Sequence, residues 1–139
     1  MKHKILMVDD EKNILNAFHR NLRGEFEVFI ADSPELAINI FKEKGPFAVI
    51  VSDYRMPKMN GIELLSNIKK IDENTIRIIL TGQADMDTAI KAVNEGNIFR
   101  FLTKPCEYEF LKATLNSAIE QYELVLAEKT LLEKTLKGS

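Results

Sequence analysis

The chain has 139 residues, of which 45% are hydrophobic and 29% are charged, and its formal net charge is −2. This balance is typical of one ordinary globular domain, excludes a disordered chain, and gives no electrostatic basis for binding nucleic acid or an anionic membrane. No apolar stretch is long enough to cross a bilayer, and the single cysteine, Cys106, excludes an intrachain disulfide, so we expect a cytoplasmic protein.

Short apolar runs, each about the length of a β-strand, alternate along the chain with segments of helical spacing. The runs are residues 5–8, 28–31, 47–51, 76–80 and 99–102, and the apolar stripes between them lie at 14–22, 36–41, 62–68 and 89–93. Ser33 followed by Pro34 predicts the start of a helix, and Asp85 can cap the helix after it.

Strands that alternate with helices indicate an α/β protein with a parallel sheet covered by helices on both faces. The runs at 5–8, 28–31 and 47–51 are continuously apolar and the other two are interrupted only by Arg77 and Arg100, as expected for parallel strands that are buried on both sides. We therefore predict a doubly wound, flavodoxin-like, five-stranded parallel sheet in the order 2-1-3-4-5 with five helices, the last one extended.

Polar residues follow the strands on the side where such sheets bind ligands. Strand one is followed by Asp9 and Asp10, strand three by Asp53, strand four by Thr81 and strand five by Lys104. Because the carboxyl ends of parallel strands share one edge, we expect these side chains to converge at the switch point of the sheet.

The chemistry of this group favours a divalent cation and a phosphoryl group. Three close carboxylates repel one another, and oxygen ligands of this kind suit Mg²⁺, which also engages phosphate. Lys104 adds a positive charge and Thr81 a hydroxyl, which is the equipment for phosphoryl transfer to a carboxylate. Each residue alone has an ordinary explanation as a cap or a turn, so the prediction rests on the combination.

The motifs that carry this combination resemble one known family. They are MVDDE at 7–11, SDYRMPKMNG at 52–61, LTG at 80–82 and FLTKP at 101–105. From about Lys2 to the start of the last helix, the chain is similar to the receiver domain of bacterial two-component response regulators. The resemblance implies a phosphoryl group received from a sensor histidine kinase or a phosphotransfer protein, and self-catalysed phosphorylation and dephosphorylation rather than an enzyme acting on other molecules.

The resemblance also implies roles for individual residues at the acidic site. Asp53 corresponds to the phosphoacceptor, Asp10 to a direct Mg²⁺ ligand and Asp9 to a ligand through water. The backbone carbonyl of Arg55 would complete the protein's share of the metal shell. Arg55 and Gln83 also flank the place where such domains tune the lifetime of the phosphoryl group.

The same resemblance implies a switch. Thr81 and Lys104 would contact the phosphoryl oxygens, and Phe101 occupies the position of the family's switch aromatic. Thr81 would move toward the phosphoryl group, and Phe101 would fill the space that it leaves. The surface of helix four, strand five and helix five would then change and control an output domain.

The C-terminal segment predicts one long helix, because residues 107–137 contain neither Pro nor Gly. We expect its first part to cover the sheet with Phe110, Leu111, Leu115, and Ala118 or Ile119. A heptad seam then continues through Leu115, Ala118, Tyr122, Val125, Lys129, Leu132 and Leu136, which favours a parallel homodimeric coiled coil. We therefore divide the chain into a domain at 1–120 and a linker helix at 121–139 that leads toward an output domain beyond these residues.

Three other readings stay open. A phosphohydrolase of the haloacid dehalogenase type usually has a second Asp two positions after the nucleophile, where this chain has Arg55. A flavodoxin-like cofactor binder needs a Ser/Thr/Gly-rich loop after strand one, where this chain has Asp-Asp-Glu. A receiver that has lost phosphorylation would not need the complete acidic set together with Thr81 and Lys104.

Overall fold

A five-stranded parallel sheet forms the centre of the computed structural model, which describes residues 2–138. The strands are β1 (Lys4–Val8), β2 (Glu27–Ala31), β3 (Val49–Asp53), β4 (Ile76–Thr81) and β5 (Arg100–Thr103). Their order is β2-β1-β3-β4-β5, and every neighbouring pair is parallel. The predicted fold class and strand order are confirmed.

Five helices connect and cover the strands. They are α1 (Lys12–Leu22), α2 (Pro34–Lys44), α3 (Gly61–Ile71), α4 (Met86–Asn94) and α5 (Tyr108–Gly138), and a 3₁₀ turn at Gln83–Asp85 precedes α4. No helix within residues 2–138 has the length and apolar character needed to span a membrane.

The alternation of side chains along the strands divides the core into two layers. In β1, Ile5 and Met7 pack on one face of the sheet with α1 and α5, and Leu6 and Val8 pack on the other face with α2, α3 and α4. All four side chains are buried. Burial on both faces explains why the apolar run of β1 is continuous rather than alternating.

Helix starts agree with the sequence at α2 and disagree at α4. The Ser33 side chain accepts a hydrogen bond from the Leu36 amide, as predicted, and Asn60 caps α3 in the same way. Asp85 stands at the corresponding position of α4, but its side chain makes no capping hydrogen bond. The predicted cap at Asp85 is therefore wrong, because its carboxylate is bound to Arg55 instead.

The third strand begins and ends two residues later than the apolar run at 47–51 predicts. Phe47 lies before the strand, where its ring is fully buried and stacks on Phe41 with the ring centroids 5.6 Å apart. Asp53 is the last residue of β3 and pairs in register with Leu80 of β4. The carboxylate is therefore part of the sheet's rigid edge rather than of the loop that follows.

Helix α5 covers the sheet with a different face from the one expected at its start. Leu111, Leu115, Ala118 and Ile119 are buried, as predicted, but Phe110 is 60% exposed. The prediction for Phe110 is wrong, because a residue next to Leu111 points about 100° away from it around the helix axis. Leu115 and Ala118 are buried in the core of the domain, and Tyr122 packs against that core. The part of the predicted seam that does not pack on the domain therefore begins at Val125.

Gly61, the first residue of α3, touches the strand that ends in Asp53. A Cβ at this position would collide with the backbone carbonyl oxygen of Asp53 and with the side chain of Ile79. We expect Gly61→Ala to lower the free energy of unfolding by about 1–3 kcal/mol, the usual cost of overpacking. Urea denaturation measures this loss.

Gly24→Ala is the matched control, since nothing lies within 4 Å of a Cβ there. We expect its effect to stay within about 0.5 kcal/mol. Equal stability of the two variants would contradict the close approach of α3 to β3.

Candidate functional site at the carboxyl edge of the sheet

Asp53 is held at the edge of the sheet by its backbone. The Tyr54 amide donates to the Leu80 carbonyl at 2.9 Å, which extends the pairing of β3 with β4 beyond Asp53. The Ser52 hydroxyl donates to the Asp53 carbonyl at 3.0 Å. Asp53 is only 6% exposed, so its carboxylate sits in a fixed and mostly buried position.

Lys104 joins two of the predicted carboxylates. Its ammonium nitrogen Nζ lies 2.9 Å from Asp9 Oδ2 and 3.2 Å from Asp53 Oδ1. The Lys104 amide donates to the Thr81 carbonyl at 2.9 Å, which fixes the backbone of Lys104 against β4. The peptide bond from Lys104 to Pro105 is cis. With its contacts to Asp9 and Asp53, Lys104 places one positive charge between the loop after β1 and the end of β3.

The three predicted acidic residues form one cluster. One carboxylate oxygen from each of Asp9, Asp10 and Asp53 lies within 4.8 Å of the other two. Asp9 is 1% exposed and its Oδ1 accepts the Glu11 amide at 2.9 Å, whereas Asp10 is exposed. Three carboxylates face one ammonium, which leaves an excess of negative charge. An all-oxygen cluster of this kind fits a hard divalent cation such as Mg²⁺.

The charges in the cluster shift the pKa of its members. Burial raises the pKa of Asp53, the neighbouring Asp9 carboxylate raises it further, and Lys104 opposes both effects. For Lys104, burial acts to lower the pKa, but its contacts with Asp9 and Asp53 outweigh burial and leave the pKa raised. Burial and the Asp9 charge thus destabilise the ionised form of Asp53, and an additional cation bound nearby would stabilise it.

An open cleft of about 370 Å³ lies above Asp53. Its lining residues are Asp10, Glu11, Asp53, Tyr54, Arg55, Gly82, Gln83, Ala84, Asp85 and Lys104. Four predicted site residues, Asp10, Asp53, Arg55 and Lys104, line this cleft directly. Asp9 is not among the lining residues, but its Oδ2 accepts a hydrogen bond from Lys104, which does line the cleft.

Thr81 and Phe101 lie near the cleft but do not line it. Thr81 is fully buried, and its hydroxyl donates to the Gly82 carbonyl at 3.1 Å. Phe101 is half-buried and packs on the core layer that contains Ala89 and Ile98. The Thr81 hydroxyl is thus bonded to its own backbone neighbour, and its predicted contact with a phosphoryl group would replace that bond.

The sequence did not reveal a charge pair at the mouth of the cleft. Arg55 Nε lies 2.6 Å from Asp85 Oδ2 and Arg55 Nη2 lies 3.0 Å from Asp85 Oδ1. The hydrogen bonds from Arg55 lower the pKa of Asp85. The pair could have been predicted from the sequence, because Arg55 follows β3 and Asp85 follows the neighbouring β4. Both loops leave the same edge of the sheet, so residues of opposite charge in them can meet.

This fold and site coincide with a known family. The sequence model of the response regulator receiver domain matches residues 5–116. The chain therefore belongs to the response regulator receiver domain family, a class of signalling domains in two-component systems.

One curated relative is the hydrogenase transcriptional regulatory protein HoxA of Cupriavidus necator. It is 33% identical over 116 residues, which cover 84% of this chain and 24% of HoxA. The chain thus spans about a quarter of the length of this relative, whose remaining length has no counterpart here.

Two solved structures share the fold at higher identity. A chain from the adenylate cyclase of Rhodopirellula baltica has a TM-score of 0.93 and 43% identity, with 96% of this chain and 99% of that chain covered. A response regulator receiver domain from Clostridium thermocellum has a TM-score of 0.83 and 38% identity, with 88% and 98% covered. With 96% of this chain covered, most of the 31-residue helix α5 has a counterpart in the first structure.

The raised pKa of Asp53 predicts that its ionisation destabilises the folded chain. A carboxyl whose pKa is higher in the folded than in the unfolded state contributes stability below the unfolded pKa of about 3.9 and loses it as pH rises through the folded pKa. We therefore expect Asp53→Asn to raise the free energy of unfolding at pH 7 in metal-free buffer. The gain should disappear near pH 3, as measured by urea denaturation.

Asp72→Asn is the control, because Asp72 ends α3 at the opposite end of the strands, where its Oδ1 accepts the Asn74 amide and its charge acts on Arg77 rather than on Asp53. We expect no comparable gain at pH 7 from this variant. A loss of stability in Asp53→Asn at pH 7 would show that Lys104 outweighs burial and the Asp9 charge.

Proposed function

We propose that this domain accepts a phosphoryl group on Asp53 from a sensor histidine kinase or a phosphotransfer protein, in a Mg²⁺-dependent reaction. The observation that carries the proposal is the position of Lys104, whose ammonium lies between the Asp9 and Asp53 carboxylates at the floor of an open cleft. Family membership supports it, because the chain belongs to a class of signalling domains. The rival phosphohydrolase lacks its acid, since Arg55 is paired with Asp85 and provides no proton.

Asp9, Asp10 and Asp53, with the backbone carbonyl of Arg55, would hold the Mg²⁺. When bound, Mg²⁺ neutralises negative charge on the phosphoryl oxygens and on the carboxylates around them. The excess of carboxylates over ammonium groups in the cluster supports this assignment.

In the reaction, a phosphohistidine of the donor meets an Asp53 carboxylate oxygen in line with its N–P bond. The N–P bond breaks, a bond forms between phosphorus and that oxygen, and the donor imidazole leaves. Lys104 is 3.2 Å from Asp53 Oδ1 and offsets the charge that accumulates on the transferred group. Attack by water on the aspartyl phosphate returns Asp53 and inorganic phosphate, so the domain resets its own state.

The phosphorylated state would reorganise the side chains behind the cleft. Thr81 exchanges its hydrogen bond to Gly82 for one to a phosphoryl oxygen. Phe101, which has no hydroxyl to retain it at the surface, moves into the space beside Thr81 and packs there. The surface formed by α4, β5 and α5 then changes and controls an output domain.

The exposed part of α5 supports a parallel homodimer that passes this signal on. From residue 127 to residue 138 every side chain of the helix is exposed, and Leu132 is 61% exposed. Val125, Lys129, Leu132 and Leu136 repeat at steps of four, three and four, as in a two-stranded coiled coil. Similar proteins are named as a transcriptional regulatory protein and as an adenylate cyclase, and these names support an output domain of one of those two kinds.

Phosphorylation can be tested with acetyl phosphate as donor. We expect intact-mass spectrometry to show the addition of one phosphoryl group in the presence of Mg²⁺ and none after chelation with EDTA. Asp53→Asn should abolish the addition because the accepting carboxylate is gone. Asp72→Asn is the control and should be labelled as the wild type is. Full labelling of Asp53→Asn would refute the assignment of the phosphoacceptor.

The dimer can be tested on the seam itself. We expect Leu132→Lys to weaken self-association at least tenfold in sedimentation equilibrium, since it places charges against each other in the seam. Leu124→Lys is the matched control, because Leu124 is also 61% exposed but lies outside the seam. If Leu124→Lys disrupts the dimer and Leu132→Lys does not, the proposed seam is wrong.

A further inference from the structure

Asp85 occupies the N-cap position of α4 without capping it. The caps of α2 and α3, Ser33 and Asn60, have extended backbones and accept hydrogen bonds from the third residue of the helix. Asp85 has φ −110° and ψ 11°, and its side chain makes no such bond. Asp is a residue type that favours helix caps, yet at the start of α4 its carboxylate binds Arg55 instead of the helix amides.

Both carboxylate oxygens of Asp85 are engaged by Arg55 in a two-pronged arrangement at 2.6 and 3.0 Å. The Asp85 side chain is 15% exposed, whereas the Arg55 side chain is 74% exposed. Both residues line the cleft above Asp53. The pair thus connects the loop after β3 to the start of α4 across the mouth of the proposed phosphorylation site.

We propose that the phosphoryl group on Asp53 takes Arg55 away from Asp85, and that the released Asp85 carboxylate then caps α4. This inference rests on the proposed function of Asp53. A guanidinium binds phosphate and carboxylate oxygens with the same planar donor geometry. The phosphoryl group carries about −1.5 to −2 charges against one on Asp85, so it is the stronger partner.

Asp85 can serve only one of these partners at a time. Capping requires an extended backbone at Asp85 and a carboxylate oxygen directed at the amides of Asp87 or Thr88. The observed state instead directs both oxygens at Arg55. Arg55 and Asp85 are therefore positioning residues, and their exchange links the charge state of Asp53 to the first turn of α4.

Helix α4 is short and has few large buried side chains, so a new hydrogen bond at its first turn can shift it. It has nine residues, and its buried side chains are Ala89 and Ala92, which make small contacts. Ile90 is 39% exposed. Phe101 packs on the core layer that contains the two alanines, so a shift of α4 would change the packing around the predicted switch aromatic.

The test is amide hydrogen exchange at Asp87 and Thr88, measured by NMR with and without beryllofluoride and Mg²⁺ as a mimic of the phosphoryl group. We expect the mimic to raise protection of one or both amides roughly fivefold in the wild type, the factor that one side-chain cap contributes. Asp85→Ala should show no such gain. Arg55→Ala, which keeps the backbone carbonyl, should show the gain without the mimic, because Asp85 is already released.

Lys91→Ala is the control for loss of an ion pair on the same helix, since Lys91 and Glu95 lie 3.9 Å apart on an exposed face. It should behave as the wild type does. Unchanged protection in Arg55→Ala, or an equal gain in wild type and Asp85→Ala, would overturn the exchange. If acetyl phosphate labels Asp53 in the wild type, the proposed function survives that result. Absence of labelling in the wild type overturns both the proposed function and the exchange of Arg55 between Asp85 and the phosphoryl group.

Discussion

The contact of Lys104 with Asp9 and Asp53 is the interaction on which the site depends. Lys104 follows β5, an edge strand, and reaches across β4 to carboxylates that belong to β3 and to the end of β1. Without this ammonium, three carboxylates would share one edge, and the pKa of Asp53, which burial and Asp9 already raise, would rise further. The parallel sheet makes the contact possible, because all strands deliver their carboxyl ends to the same side.

Much of this arrangement could be predicted from the sequence. The apolar runs in β1 and β3 are buried on both faces, and their alternation with helical segments indicates a parallel sheet. The polar residues after the strands then converge by topology alone, and Asp10, Asp53, Arg55 and Lys104 do line one cleft. The family match over residues 5–116 confirms the class of protein.

Other features depend on packing that a one-dimensional pattern does not contain. Phe110 is hydrophobic and adjacent to a core position, yet the rotation of α5 against the sheet exposes it. Asp85 is placed as a cap by its sequence, but a strong partner in space, Arg55, captures its carboxylate. Local propensity fails in the second case where two loops meet at the cleft, and such conflicts are expected at functional sites.

The most direct measurement of the central claim is chemical identification of the residue that carries the phosphoryl group. After reaction with acetyl phosphate and Mg²⁺, borohydride reduces an aspartyl phosphate to homoserine, and peptide sequencing by mass spectrometry locates that residue. The account predicts homoserine at position 53 and nowhere else. Homoserine at position 9 or 10, or unmodified aspartate at all three positions, would contradict it.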